Sequence, residues 1–92
     1  MEFRESPEFT EQFSNLGNLE NLDEVLRGLQ WGINTDPEEF DLVPGFSELR
    51  VAKTDIYHRP NGNIPRLRVF FAYKRNSEVV ELLWIEYDLD GD

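Results

Sequence analysis

Cysteine is absent from this 92-residue chain. That excludes a disulfide scaffold, thiolate-held metals and cysteine nucleophiles. Histidine is nearly absent, with His58 standing alone, so a zinc site has no convergent ligand set to draw on and no metal or cofactor is expected. Positive charge is scarce as well. Nine Lys and Arg face nineteen Asp and Glu, giving a formal net charge of −10, which argues against a chain that binds polyanions with its whole surface. No apolar run approaches the ~20 residues of a membrane-crossing helix, so no membrane partner is expected. The opening MEFRESPEF lacks the basic-then-apolar order of a secretion signal, and the expected location is cytoplasmic. Phosphate loops of the G-x-G-x-x-G or Walker type are missing, and Asp88 to Asp92 resembles only the first fragment of a calcium loop.

Ninety-two residues make one domain, 1–92. A chain of this size buries only about 60–65 % of its unfolded surface, which leaves little margin of stability. Its charge is distributed unevenly. Residues 1–47 carry eleven acids and two arginines, residues 48–77 seven bases and two acids, and residues 78–92 six acids and no base. A basic middle between acidic flanks leaves room for a local cationic face, within a field that repels polyanions at long range.

The richest β signal runs from Arg66 to Tyr87, two halves crowded with Val, Phe, Tyr, Trp and Ile around Lys74-Arg75-Asn76-Ser77. The first half alternates, placing Leu67, Val69, Phe71 and Tyr73 on one face and Arg66, Arg68, Phe70 and Ala72 on the other. A two-residue turn at Asn76-Ser77 sets Tyr73 opposite Val80, Phe71 opposite Leu82 and Val69 opposite Trp84. The other face then holds Glu81, Leu83, Ile85 and Tyr87 beside the arginines. Phe70, Leu83 and Ile85 are left as an outward apolar patch suited to protein contact.

Upstream, residues 2–5 fit a short strand. Ser6-Pro7 is a helix start, a hydroxyl cap followed by proline at the first helical position, with Phe9, Phe13 and Leu16 as the buried stripe. A second helix begins at Asn18 or Asn21, and its leucines at 19, 22, 26 and 29 form an amphipathic face. Trp31 is placed in packing at its exit. Asp36-Pro37 starts about one further turn, with Phe40, Leu42, Val43 and Phe46 plugging the rim of the core. Residues 47–54 fit a strand with Leu49 and Val51 inward and Arg50 and Ala52 outward. Residues 55–65 fit an irregular loop with an Asn-Gly turn signal. The expected class is α+β: an N-terminal helical hairpin packed on a mostly antiparallel sheet of three or four strands.

FTEQFSNL, LDEVLRGLQWGINTDP, VPGFSELRVAKTD, PRLRVFFAY and EVVELLWIEY occur in an order and spacing that resemble the RelE/ParE superfamily of bacterial type II toxin–antitoxin toxins. The resemblance covers nearly the whole chain, through short and degenerate motifs. It implies a toxin-like component, a ribosome-dependent messenger RNA endoribonuclease or a catalytically weakened relative, whose partners would be a cognate antitoxin and ribosome-bound messenger RNA. By matched position it implies catalytic roles for Arg68 on the central strand, Arg50 on the preceding strand and Tyr87 near the carboxy terminus. His58 enters from its own chemistry, as a loop imidazole able to exchange a proton near neutral pH. The chain departs from the family where more basic residues are usual, carrying Glu81, Glu86 and a run of aspartates instead. The residues therefore leave open a second reading, a non-enzymatic interaction or homodimeric protein that uses the exposed sheet face.

Overall fold

Ser6 behaves as its sequence context predicts. Its side chain accepts a hydrogen bond from the Phe9 amide at 3.1 Å and caps the first helix, with Pro7 at the first helical position. In the computed structural model, which describes residues 1–16, 22–54, 57–59, 62–64 and 66–88, the chain is α+β. Its elements are β1 (Glu2–Glu5), α1 (Pro7–Asn15), α2 (Leu22–Thr35), a 3-10 turn (Pro37–Glu39), β2 (Asp41–Leu42) and β3 (Leu49–Lys53). They continue with β4 (Tyr57–Arg59), β5 (Gly62–Ile64), β6 (Leu67–Tyr73) and β7 (Val79–Tyr87). The residues expected to start α2, Asn18 and Asn21, lie outside the described residues, as does Leu19.

The sheet is larger than expected, and mixed. Five strands run in the order β1-β7-β6-β3-β2, with β1 parallel to β7 and the remaining pairs antiparallel. Residues 55–65 were expected to be irregular, but β4 and β5 pair there as a separate two-stranded ribbon, joining Tyr57 to Ile64 in register. The ribbon's last pair is Arg59↔Gly62, so it ends on the glycine of the Asn-Gly signal read in the sequence.

One side of the five-stranded sheet is the core. Leu67, Val69 and Phe71 of β6 and Val80, Leu82 and Ile85 of β7 are buried with Ala52, Phe9, Leu22, Val25 and Ile33. Leu26 and Leu29 pack against them, so the amphipathic stripe of α2 faces the sheet as its spacing predicts. The stripe continues to Ile33, which places Trp31 about 200° around the helix from Leu29. Trp31 is accordingly 71 % exposed and not packed at the helix exit. Phe40 does reach the core, edge-on to Phe71 with ring centroids 5.7 Å apart. Leu42 and Phe46 stay exposed.

Two strands face otherwise than their sequences predict. In β3, Arg50 pairs with Phe71 and Ala52 with Val69, so these two face the helices, while Leu49 and Val51 face away with Ala72 and Phe70. In β7, Tyr73↔Val80 and Phe71↔Leu82 form as expected, but the register then shifts, giving Phe70↔Trp84 and Val69↔Ile85. Leu83 is the extra residue of a β-bulge. Beyond it every side chain of β7 exchanges faces. Ile85 becomes fully buried and Trp84 turns outward. The hairpin turn is also displaced by one residue. The Ser77 amide donates to the Lys74 carbonyl at 2.9 Å, and Asn76 takes φ +66°, a left-handed conformation that asparagine tolerates.

The bulge makes adjacent residues unequal. Ile85→Ala should destabilise the fold by ~2–5 kcal/mol, as removal of a fully packed side chain does, and Trp84→Ala by well under half of that. Urea unfolding of the two variants checks this, and equal costs would contradict the register.

Candidate functional site

Arg50, Arg68 and Tyr87, three of the four residues expected to act in catalysis, do not form one site. Arg68 lies on the face away from the helices, flanked by Lys53 on β3 and Glu86 on β7. Its guanidinium reaches Glu86 (Nη2 to Oε2, 3.4 Å) and Asp88 (Nε to Oδ1, 3.9 Å). Asp88 is almost wholly enclosed, with 6 % of its side chain exposed, so this pair is sheltered from solvent screening on one side. Two carboxylates around one guanidinium occupy the charge that a phosphate would need.

Arg50 lies on the opposite face. Its Nη1 donates to the carbonyls of Phe40, at 2.6 Å, and Glu38, at 3.2 Å. These bonds satisfy the backbone where the 3-10 turn passes into β2, a local structural task. The shared parity of Arg50, Arg66 and Arg68 expected from sequence fails because β3 pairs with β6 in the other phase. Arg66 is itself engaged in an interaction.

Tyr87 pairs with Leu67 on the helix side, where it packs against the core, not beside the arginines. Its hydroxyl donates to the Leu16 carbonyl at 2.8 Å, closing the end of α1 onto the last strand. Arg50 and Tyr87 stand opposite Phe71 and Leu67, four residues or roughly 13 Å apart along β6. The side chain of His58 lies outside the described residues. Among the described residues, no cluster of three or more His, Asp or Glu groups could hold a metal ion. No helix among them is long and apolar enough to cross a membrane.

What the structure does assemble is the outward sheet face. Register places Trp84, Phe70 and Val51 side by side across β7, β6 and β3, with Asp41 of β2 at the end of the row. The neighbouring row holds Glu81, Ala72 and Leu49, with Arg4 alongside on β1. The bulge adds Leu83. Trp84 is 38 % exposed, and Phe70, Val51, Leu49, Ala72 and Leu83 are half-buried. Both helices pack on the other side of the sheet. Phe70 and Leu83 are where the sequence put them. Trp84 takes the place assigned to Ile85, and only the bulge, which has no clear sequence signature in EVVELLWIEY, distinguishes the two.

No family model matches this chain, and no curated protein matches it at a significant level.

Burial holds the Tyr87 hydroxyl above its ordinary value of 10.0, because the ionised form is poorly solvated there. A raised value means that the fold favours the neutral phenol. Its contribution to stability is intact below pH 10 and is lost as pH rises through the folded-state value. Unfolding followed by circular dichroism between pH 8 and about 11 should show a steeper alkaline loss in wild type than in Tyr87→Phe. The variant should be about 1 kcal/mol less stable at neutral pH, where the hydrogen bond to Leu16 is lost.

Proposed function

We propose that this chain is a non-catalytic interaction protein on a RelE/ParE-like scaffold, which binds a cationic partner segment through its outward sheet face. The observation that carries the reading is the apolar row Trp84-Phe70-Val51, extended by Leu83, with both described helices packed on the other side of the sheet. Apolar patches that a monomer leaves open and rims with charge are characteristic of contact surfaces, and Trp is the residue type most enriched among their energetic anchors.

Charge selects the kind of partner. The rim of the face mixes Asp41, Glu81 and Glu86 with Arg4, Lys53 and Arg68, and the excess of acid that favours a cationic segment is that of the whole chain, net −10. A segment with apolar side chains between Lys or Arg residues would gain at both the row and its rim. A second copy of this chain would bring its own large negative charge to the same place, so a heterologous partner is favoured. A cognate antitoxin on this face would be basic. The same electrostatics weigh against ribosome-bound messenger RNA, since Arg68 is held between Glu86 and Asp88 and neither Arg50 nor Tyr87 reaches its face.

Tagged wild type and the double variant Leu83→Ser/Trp84→Ser, expressed in the source cells, provide the test. Wild type should retain a basic protein that the variant loses, with matching circular dichroism spectra for the two. Sedimentation showing a dimer that the double substitution dissociates would replace the heterologous partner with a second copy. Primer-extension mapping on programmed ribosomes completes the comparison: messenger RNA cleavage by wild type and not by Arg68→Ala would overturn the non-catalytic reading.

A further inference from the structure

Where β3 begins and β6 ends, on the other side of the sheet margin from the Trp84 row, Glu38, Ser47, Glu48, Arg50, Tyr73, Lys74 and Arg75 line a cleft of about 390 Å³. That volume is within the range of roughly 300–1,000 Å³ typical of small-ligand sites. We propose that it binds a carboxylate, with Arg50 as its fixed anchor and Lys74 and Arg75 as the groups that close over the ligand.

Four observations support this assignment. First, three cations meet two carboxylates in the cleft, a local balance of +1 inside a chain of net −10. Secondly, Arg50 is already oriented: its Nη1 is held by the Glu38 and Phe40 carbonyls, while its Nε is buried and has no hydrogen-bond partner. A buried charged donor without an acceptor is costly, and a carboxylate oxygen is a strong acceptor for a guanidinium N–H. Thirdly, Lys74 and Arg75 stand on a defined turn, closed by the Ser77 amide on the Lys74 carbonyl and by the left-handed Asn76. Fourthly, Arg75 Nε is 3.2 Å from Glu38 Oε1, in a pair with 81 % and 40 % of the two side chains exposed. Such an exposed pair contributes little, so Arg75 can leave Glu38 for a ligand at small cost.

Net charge distinguishes the ligand class. One negative charge cancels the local +1, whereas a phosphate dianion would leave an excess beside Glu38 and Glu48 in an already acidic protein. The carboxylate could belong to a free organic acid or to the terminus of a peptide, and the chemistry of recognition is the same for both. The site is separate from the outward face, since Arg50 and Tyr73 are on the helix side of the sheet.

Nitrogen-15 NMR of the full chain tests the proposal, because the Arg50 Nε–H gives its own resonance. Benzoate should shift that resonance and the amides of Tyr73, Lys74 and Arg75 saturably. Its neutral isostere benzamide should not, and phenyl phosphate should bind more weakly than benzoate. Lys74→Glu/Arg75→Glu, on an exposed turn, should weaken benzoate by about tenfold or more. Glu38→Gln should tighten it by releasing Arg75, a gain that a purely structural role for the cleft would not produce. Comparing Ala-Ala-Phe with its carboxy-terminal amide assigns the source: free-acid binding tighter than benzoate identifies a peptide terminus, and binding no tighter identifies a small acid. Absence of saturable shifts with benzoate, equal shifts with benzamide, tighter phenyl phosphate or indifference to the turn substitutions would each overturn the site.

Discussion

The hydroxyl of Ser6 connects three parts of the structure that would otherwise be independent. It accepts from the Phe9 amide, capping α1, and donates to the Leu83 carbonyl at 3.0 Å, on the residue that forms the bulge. The Ser6 amide meanwhile donates to the Leu82 carbonyl at 2.9 Å. A bulge leaves backbone groups without their ladder partners, and buried groups of this kind need partners from elsewhere. Here the helix start supplies one. The same residue thus fixes where α1 begins, how it enters the sheet, and where β7 changes phase. Downstream of that point the phase decides that Ile85 fills the core, that Trp84 stands outside, and that Tyr87 closes on Leu16.

Much of this was legible in the residues, because it depends on neighbours in sequence. The Ser6-Pro7 helix start, the apolar stripe of α2, the alternation of β6 and the first two pairs of the β6–β7 hairpin are local patterns with local causes. What escaped is set by partners far along the chain. The phase of β3 is one case: Arg50 reads as an outward residue until Glu38 and Phe40 offer carbonyls on the inner side. The face of β7 beyond Leu83 is another, since LLWI satisfies either phase and the bulge is stabilised by Ser6, 77 residues away. Both candidate-site errors follow from these two phases. Arg68 alone was placed correctly, because β6 alternates without interruption and its core residues fix its outward ones.

The basic middle of the chain changes meaning once partners are known. In sequence it is a cluster of cations that could face nucleic acid. In the fold several of its described members are divided among internal tasks: Arg50 with backbone carbonyls, Arg68 with Glu86 and Asp88, Arg75 with Glu38. Acids outnumber bases throughout the flanks, and each of these cations has a carboxylate or a carbonyl within reach. Ion pairs near a surface add little stability, but they do neutralise the local field that would gather a polyanion.

The parallel pairing of β1 with β7 has a consequence for how the protein is made. β1 lies at the sheet margin and, among the described strands, has only β7 as a partner. During synthesis β1 therefore waits, unpaired, until β7 has left the ribosome. Contacts between distant segments are slow to form because a long loop must close first, and unpaired strands are exposed to association with other chains while they wait. The composition of β1 suits that interval. Three of its four residues, Glu2, Arg4 and Glu5, are charged, and charged strands are poor templates for pairing with strangers. Phe3, the single apolar member, stays small as a target until Val80 arrives to pair with it.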